Sequence, residues 1–163
     1  MSEAQWTEQT RQERQFYDGV YHRQDDLTSR LAEPLSVREV YALALLGARR
    51  GNLVLDVGSG SGRHAVEIGR RGAVVLAVDI ALKGLEQGRA LAQLAGQAQQ
   101  VCNVSMDAHR LALADQSVDL VFGAQVLHHL DCAQAGAEIG RVLRLGGRAV
   151  FIENSDRNPV LRW

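Results

Sequence analysis

The chain has 163 residues, 46% of them hydrophobic, with 18 basic and 19 acidic side chains and a formal net charge of −1. That length supports one buried core rather than two, and so balanced a charge excludes a broad electrostatic attraction to nucleic acid or to a membrane surface. The start, MSEAQWTEQTRQERQ, is polar, and no stretch approaches the roughly 18 apolar residues of a spanning helix, so the expected setting is the cytoplasm, with Cys102 and Cys132 as reduced thiols.

Residues 1 to about 50 read as a helical segment. Aromatics stand at Phe16, Tyr17 and Tyr21, and Val37, Val40, Tyr41, Leu43, Ala44 and Leu45 follow near helical spacing behind Pro34, which is tolerated at a helix start. From residue 51 the pattern alternates. Strand-like Leu53 to Val57 precedes helix-like Ala65 to Arg71; Ala73 to Val78 precedes Leu82 to Ala95; then come Val101 to Met106, Val118 to Gly123 before Ala133 to Leu143, and finally Ala149 to Ile152. Gly72, the 97–100 stretch, Asp115-Gln116-Ser117 and Gly146-Gly147 mark the turns. The pattern predicts an α/β fold, a Rossmann-like, doubly wound and mainly parallel sheet of about five strands with right-handed crossovers. The organisation expected is one domain, with a cap over 1–50 and a sheet core over 51–163.

The segment LDVGSGSGRH, Leu55 to His64, joins the first strand to the first helix, where open α/β sheets bind ligands. Its glycines allow a tight turn and a close backbone approach to a ligand. A P-loop would need Lys and a hydroxyl residue after the last glycine, and Arg63-His64 stand there instead. A dinucleotide fingerprint is met from Gly60 through Gly62 to Ala65, but counted from Gly58 its third position is Arg63, too large for close helix-to-strand packing. Asp56 would also repel a pyrophosphate, and its carboxylate suits a ligand carrying a positive group.

Asp56-x-Gly58-x-Gly60-x-Gly62 resembles motif I of the class I S-adenosylmethionine-dependent methyltransferases, and the resemblance runs from about Val54 to Glu153. It implies S-adenosylmethionine as cofactor and S-adenosylhomocysteine as product, with Asp56, Gly58 and Gly60 around the methionine portion. It also implies that Asp79, with Ile80 beside it, takes the ribose hydroxyls, and that Met106 and Asp107 flank and bind the adenine. Gln125 lies in Gly123-Ala124-Gln125-Val126-Leu127-His128-His129, which is similar to the segment after the fourth strand in the small-molecule branch. A carboxylate has two acceptor oxygens, so Asp79 can hold both sugar hydroxyls at once.

For transfer itself, alignment and exclusion of water matter most, and a base is needed only where the acceptor must lose a proton. His128 is the expected base, with adjacent His129 packing or facing solvent. Tyr17, on an aromatic lid helix of the kind the resemblance implies, is a candidate contact to the cofactor or acceptor. Glu153 and Asn154 are candidates for the acceptor pocket. His128, His129 and Cys132 lack a fourth ligand at a recognisable spacing, so no metal is expected. The acceptor expected is a small molecule rather than a nucleic acid. Family members carry two further strands, so the chain reads as truncated after the fifth, and an open fifth-strand edge predicts a homodimer. The alternatives are a cofactor-binding or interaction module that performs no transfer and, more remotely, an NAD-binding dehydrogenase.

Overall fold

The computed structural model describes residues 7–22 and 26–154. Three helices, α1 (Glu8–His22), α2 (Leu27–Ala32) and α3 (Val37–Leu46), precede β1 (Leu53–Val57) and α4 (Arg63–Gly69). Next come β2 (Val74–Asp79), α5 (Leu82–Leu94), β3 (Val101–Ser105), β4 (Val118–Ala124), α6 (Cys132–Val142) and β5 (Leu143–Ile152). All strand pairs are parallel, in the order β3-β2-β1-β4-β5. The predicted Rossmann-like sheet is therefore present, and β1 has β2 on one side and β4 on the other. That reversal of strand order is the point at which an open sheet leaves a crevice at its carboxyl edge.

Both sheet faces are covered, which is why the strands are short apolar runs. Along β1, Val54 joins a core with Phe122 of β4 and buried residues of α3, α4 and α5, whereas Leu55 and Val57 join the opposite core with Val121, Ile139 and Val142. Each fully buried aliphatic side chain contributes about 1.5–3 kcal/mol.

Helix α3 starts at Val37 rather than at Pro34 because Ser36 and Glu39 form a reciprocal capping box. It ends at Gly47 in the left-handed conformation. Helix α4 enters through Gly62 at φ 76°, and a Cβ there would lie 2.9 Å from the Gly88 Cα of α5. Two glycines thus let α4 and α5 meet backbone to backbone behind the strand-to-helix loop.

The fifth strand departs from expectation. It begins at Leu143, not at Ala149, because Val118 pairs with Leu143 before the register jumps to Leu120 with Arg148. The residues between, around Gly146 at φ 78°, form an irregular excursion within the strand. Among the described residues the outer edge of β5 has no strand beside it.

Candidate functional site

Helix α1 forms a roof over the carboxyl edge of the sheet and is fastened at several points. Ala81 at the cap of α5 gives no side-chain bond, and Asp18 of α1 supplies an acceptor to the Lys83 N–H at 2.8 Å. The Gln87 amide donates to the Tyr21 carbonyl at 2.6 Å, and the buried Thr10 hydroxyl donates to Asp107 Oδ2 at 3.2 Å. Beneath lies a cleft that is partly open to solvent.

The cleft runs across the ends of four strands. Val57 ends β1 and Gly58 follows it, Asp79 ends β2 and Ile80 follows it, Met106 and Asp107 follow β3, and Gln125 and Val126 follow β4. Gly58 has φ 66°, and a Cβ on it would run into Val126, so neither the turn nor the space admits a side chain.

Asp79 is fixed from below. Its Oδ2 accepts from the Gly60 N–H and its Oδ1 from the Ala81 N–H, both at 2.8 Å. Burial pushes its pKa up, against the opposing pull of those backbone donors, with Asp18 adding to the rise. Asp107 is held through Oδ1 by the His109 N–H at 2.9 Å and the His109 ring Nδ1 at 2.7 Å.

Two residues of the glycine segment stand behind the wall rather than in it. Asp56 is 2% exposed and does not line the cleft, and its Oδ2 has no hydrogen-bond partner. Burial and then the Asp79 charge push its pKa up to about 8, so at neutral pH it is mainly a neutral acid rather than the carboxylate expected beside a positive group. The reason is strand alternation, since Asp56 shares a sheet face with Val54 while Val57 turns to the cleft side. Gly60 is also absent from the lining, because the Tyr21 ring lies on it and a Cβ would meet the Tyr21 hydroxyl. Burial, then Asp79, push the Tyr21 hydroxyl up to about 12.

The histidine pair is placed the other way round from expectation. His128 is exposed, lies outside the cleft, and its Nδ1 is 2.8 Å from Glu153 Oε2. Glu153 Oε1 also accepts from the Val126 and Leu127 N–H groups at 2.7 Å, which pins the single 3-10 turn Leu127–His129 and turns His128 outward. His129 lines the cleft instead, with Nε2 2.7 Å from the Tyr17 hydroxyl. Burial first and His128 second lower the His129 pKa, which leaves the ring neutral at pH 7. Burial, Glu13 and Asp79 raise that of Tyr17. Tyr17 is thus in the cleft, as a partner of His129.

Sequence reasoning passed over Thr10 and His109, which line the cleft, and it placed Tyr21 on the lid helix without assigning it to the site that it also lines. The spacing of Tyr17 and Tyr21, one helical turn apart, was the available signal for Tyr21.

Residues 55–151 match the methyltransferase domain family. The chain belongs to this family. A demethylmenaquinone methyltransferase of Thermobifida fusca is 39% identical over 118 residues, which are 69% of this chain and 48% of that protein. One from Mycolicibacterium paratuberculosis is 33% identical over 166 residues, covering 99% of this chain and 67% of the relative. Among solved structures, a geranyl diphosphate methyltransferase in complex with geranyl diphosphate and sinefungin superposes with a TM-score of 0.67 at 25% identity, covering 70% of this chain and 43% of that one. The chain spans about half the length of the first curated relatives it matches. As a methyltransferase domain it places its cleft at the switch of strand order, with the acids of β2 and β3 on one side and the Tyr17–His129 pair on the other.

Proposed function

We propose that the cleft binds S-adenosylmethionine and that the chain forms the cofactor-holding part of a cytoplasmic enzyme that methylates a small molecule. The observation that carries this reading is the pair of acids Asp79 and Asp107 at the ends of adjacent strands, both lining one cleft with Gly58 and Met106. The residues suit the group: the carboxylates of Asp79 and Asp107 offer acceptors to hydroxyl and amine groups, and Val57, Val78 and Met106 give the cleft an apolar wall for a ring. Asp79 would hold the ribose hydroxyls, with Ile80 beside the sugar. Asp107 would take the adenine amine, and Met106 would lie against the ring. Gly60 acts from outside the lining, by orienting Asp79 through its N–H.

The bound cofactor supplies a methyl group on a sulfonium, an activated leaving group. The rest falls to the chain. Helix α1 covers the cleft, while His129, neutral, would donate its Nε2–H to the Tyr17 oxygen and keep Nδ1 bare to take a proton from an acceptor hydroxyl or amine. His128, fixed outside by Glu153, is a support for the turn rather than the base. Relatives that methylate demethylmenaquinone and geranyl diphosphate by name support a small-molecule acceptor.

Calorimetry tests the reading directly. S-adenosylhomocysteine should bind in the micromolar range, about −8 kcal/mol, while NAD should not bind; absence of binding by the first, or equal binding by both, contradicts it. A screen of small acceptors with an isotopically labelled methyl donor then separates transfer from binding alone.

A second copy of the chain is our proposed cover for the outer edge of β5. The excursion in β5 carries Leu145 at 88% exposure, and α3, which packs against β5, presents exposed Val37, Val40 and Tyr41. A clean monomer by light scattering at micromolar concentration would contradict this.

A further inference from the structure

Asp107 is bonded through both of its oxygens, and its donors come from separate parts of the chain. Its Oδ1 receives the backbone N–H of His109 at 2.9 Å and lies 2.7 Å from Nδ1 of the same residue. Its Oδ2 receives the Thr10 hydroxyl of α1 at 3.2 Å. The other ring nitrogen of His109, Nε2, accepts the N–H of Asp131 at 2.9 Å. Asp131 in turn caps α6, its carboxylate accepting from the Ala133 and Gln134 N–H groups.

These contacts fix a tautomer. A backbone N–H can only donate, so Nε2 must be bare, and the single proton of the neutral ring sits on Nδ1, directed at Asp107. An oxygen of a carboxylate has two lone pairs. Both on Oδ1 are spent on His109, and one on Oδ2 is spent on Thr10, so Asp107 has one acceptor position left, on the oxygen that faces the roof helix. Such an arrangement accepts one further donor and repels a carbonyl.

We propose that His109 is a positioning residue that sets the purine specificity of the cleft: by locking the Asp107 carboxylate it reserves the Oδ2 lone pair for the exocyclic amine of a 6-aminopurine and turns away a 6-oxopurine. The proposal rests on the reading of Asp107 as the base-end acid. Nothing about the Asp107-Ala108-His109 spacing alone requires this. It follows from the α6 cap, 22 residues further on, reaching back to the ring. The ring also ties Asp107 to the loop that carries His129, because Asp131 lies two residues beyond it.

The test compares two ligands that differ only at the 6-substituent and the hydrogen it places on N1, S-adenosylhomocysteine and S-inosylhomocysteine, by calorimetry on the full chain. Wild type should prefer the amino form by at least about tenfold, as one charge-assisted hydrogen bond gained or one unpaired carboxylate left behind implies. His109→Leu should cut that preference at least about fivefold, mainly by weakening the amino ligand. His109→Asn, whose amide can replace the Nδ1–H donor to Asp107, should recover most of it. Equal weakening of both ligands by His109→Leu, or no recovery by His109→Asn, would show a merely structural role and overturn the proposal. Wild type binding both ligands alike overturns it while leaving the cofactor reading in place, and wild type binding neither removes both. Should His109→Leu fail to fold, nitrogen-15 NMR of the wild-type imidazoles decides independently: a protonated Nδ1 with a bare Nε2 at His109 supports the assignment, and the reverse tautomer refutes it.

Discussion

The two ends of the cleft are built by different means. At the β2 and β3 end, Asp79 is held by N–H groups within 19 residues of it and Asp107 by the N–H and ring two residues on, with the Thr10 hydroxyl of α1 adding one bond from 97 positions away. At the β4 end, the side-chain bonds come from far away: Tyr17 reaches His129 across 112 positions, and Glu153 grips the Val126, Leu127 and His128 turn from 25 to 27 positions beyond. Mainly local bonding ties the nucleoside end to the strand-to-loop junctions, with Thr10 and the α6 cap as its two outside supports. The opposite end depends on the finished tertiary structure, so it can change its chemistry without disturbing the first.

That contrast predicts separable effects. The largest is on turnover, since His129→Ala should slow methyl transfer about 100-fold for an acceptor that must lose a proton while leaving S-adenosylhomocysteine affinity within about threefold. His128→Ala should slow it less than about tenfold. Steady-state rates and calorimetry on the two variants check this, and reversed magnitudes would return the base assignment to His128.

Next comes Glu153→Gln, expected to cost about 1–3 kcal/mol of stability because two turn N–H groups and His128 lose their charged partner. Burial opposes ionisation of Glu153, but the bonds from His128, Leu127 and Val126 outweigh it and hold the carboxyl below its ordinary range. A lowered pKa contributes stability above the unfolded value and loses it as pH falls through the folded value. The gap between wild type and Glu153→Gln in urea melts should therefore be full at pH 7 and shrink below about pH 4.

The smallest expected effect has the opposite sign. Asp56, with its pKa pushed up to about 8, is protonated in the folded chain where the unfolded chain has it ionised, so it subtracts stability increasingly as pH rises from about 4 to 8. Asp56→Asn should stabilise the protein by about 1 kcal/mol or more at pH 8 and by little at pH 4, read from the same melts. Equal gains at both pH values would show that the acid is not held neutral.

What the sequence revealed follows the same division. β1 falls on Leu53–Val57 as read, because a short buried parallel strand is an apolar run stopped by glycine. Gly58, Asp79, Ile80, Met106 and Asp107 were legible as cleft residues because strand ends and loop glycines fix them locally. His128 and His129 were not distinguishable, since their rings lie side by side with centroids 3.9 Å apart and only Glu153 and Tyr17 decide which of them lines the cleft. The placement of Asp56 required knowing that α3 and α4 cover its face of the sheet. The early start of β5 was hidden because a register jump around Gly146-Gly147 looks like a turn in one dimension.

Asp79 offers the most direct test of the nucleoside site. In calorimetric titrations with S-adenosylhomocysteine, Asp79→Ala should bind at least tenfold more weakly than wild type, about 1.4 kcal/mol, while Glu153→Gln, at the far end, stays within about threefold. An Asp79→Ala protein that is folded and binds with unchanged affinity would contradict the assignment of the nucleoside to this cleft.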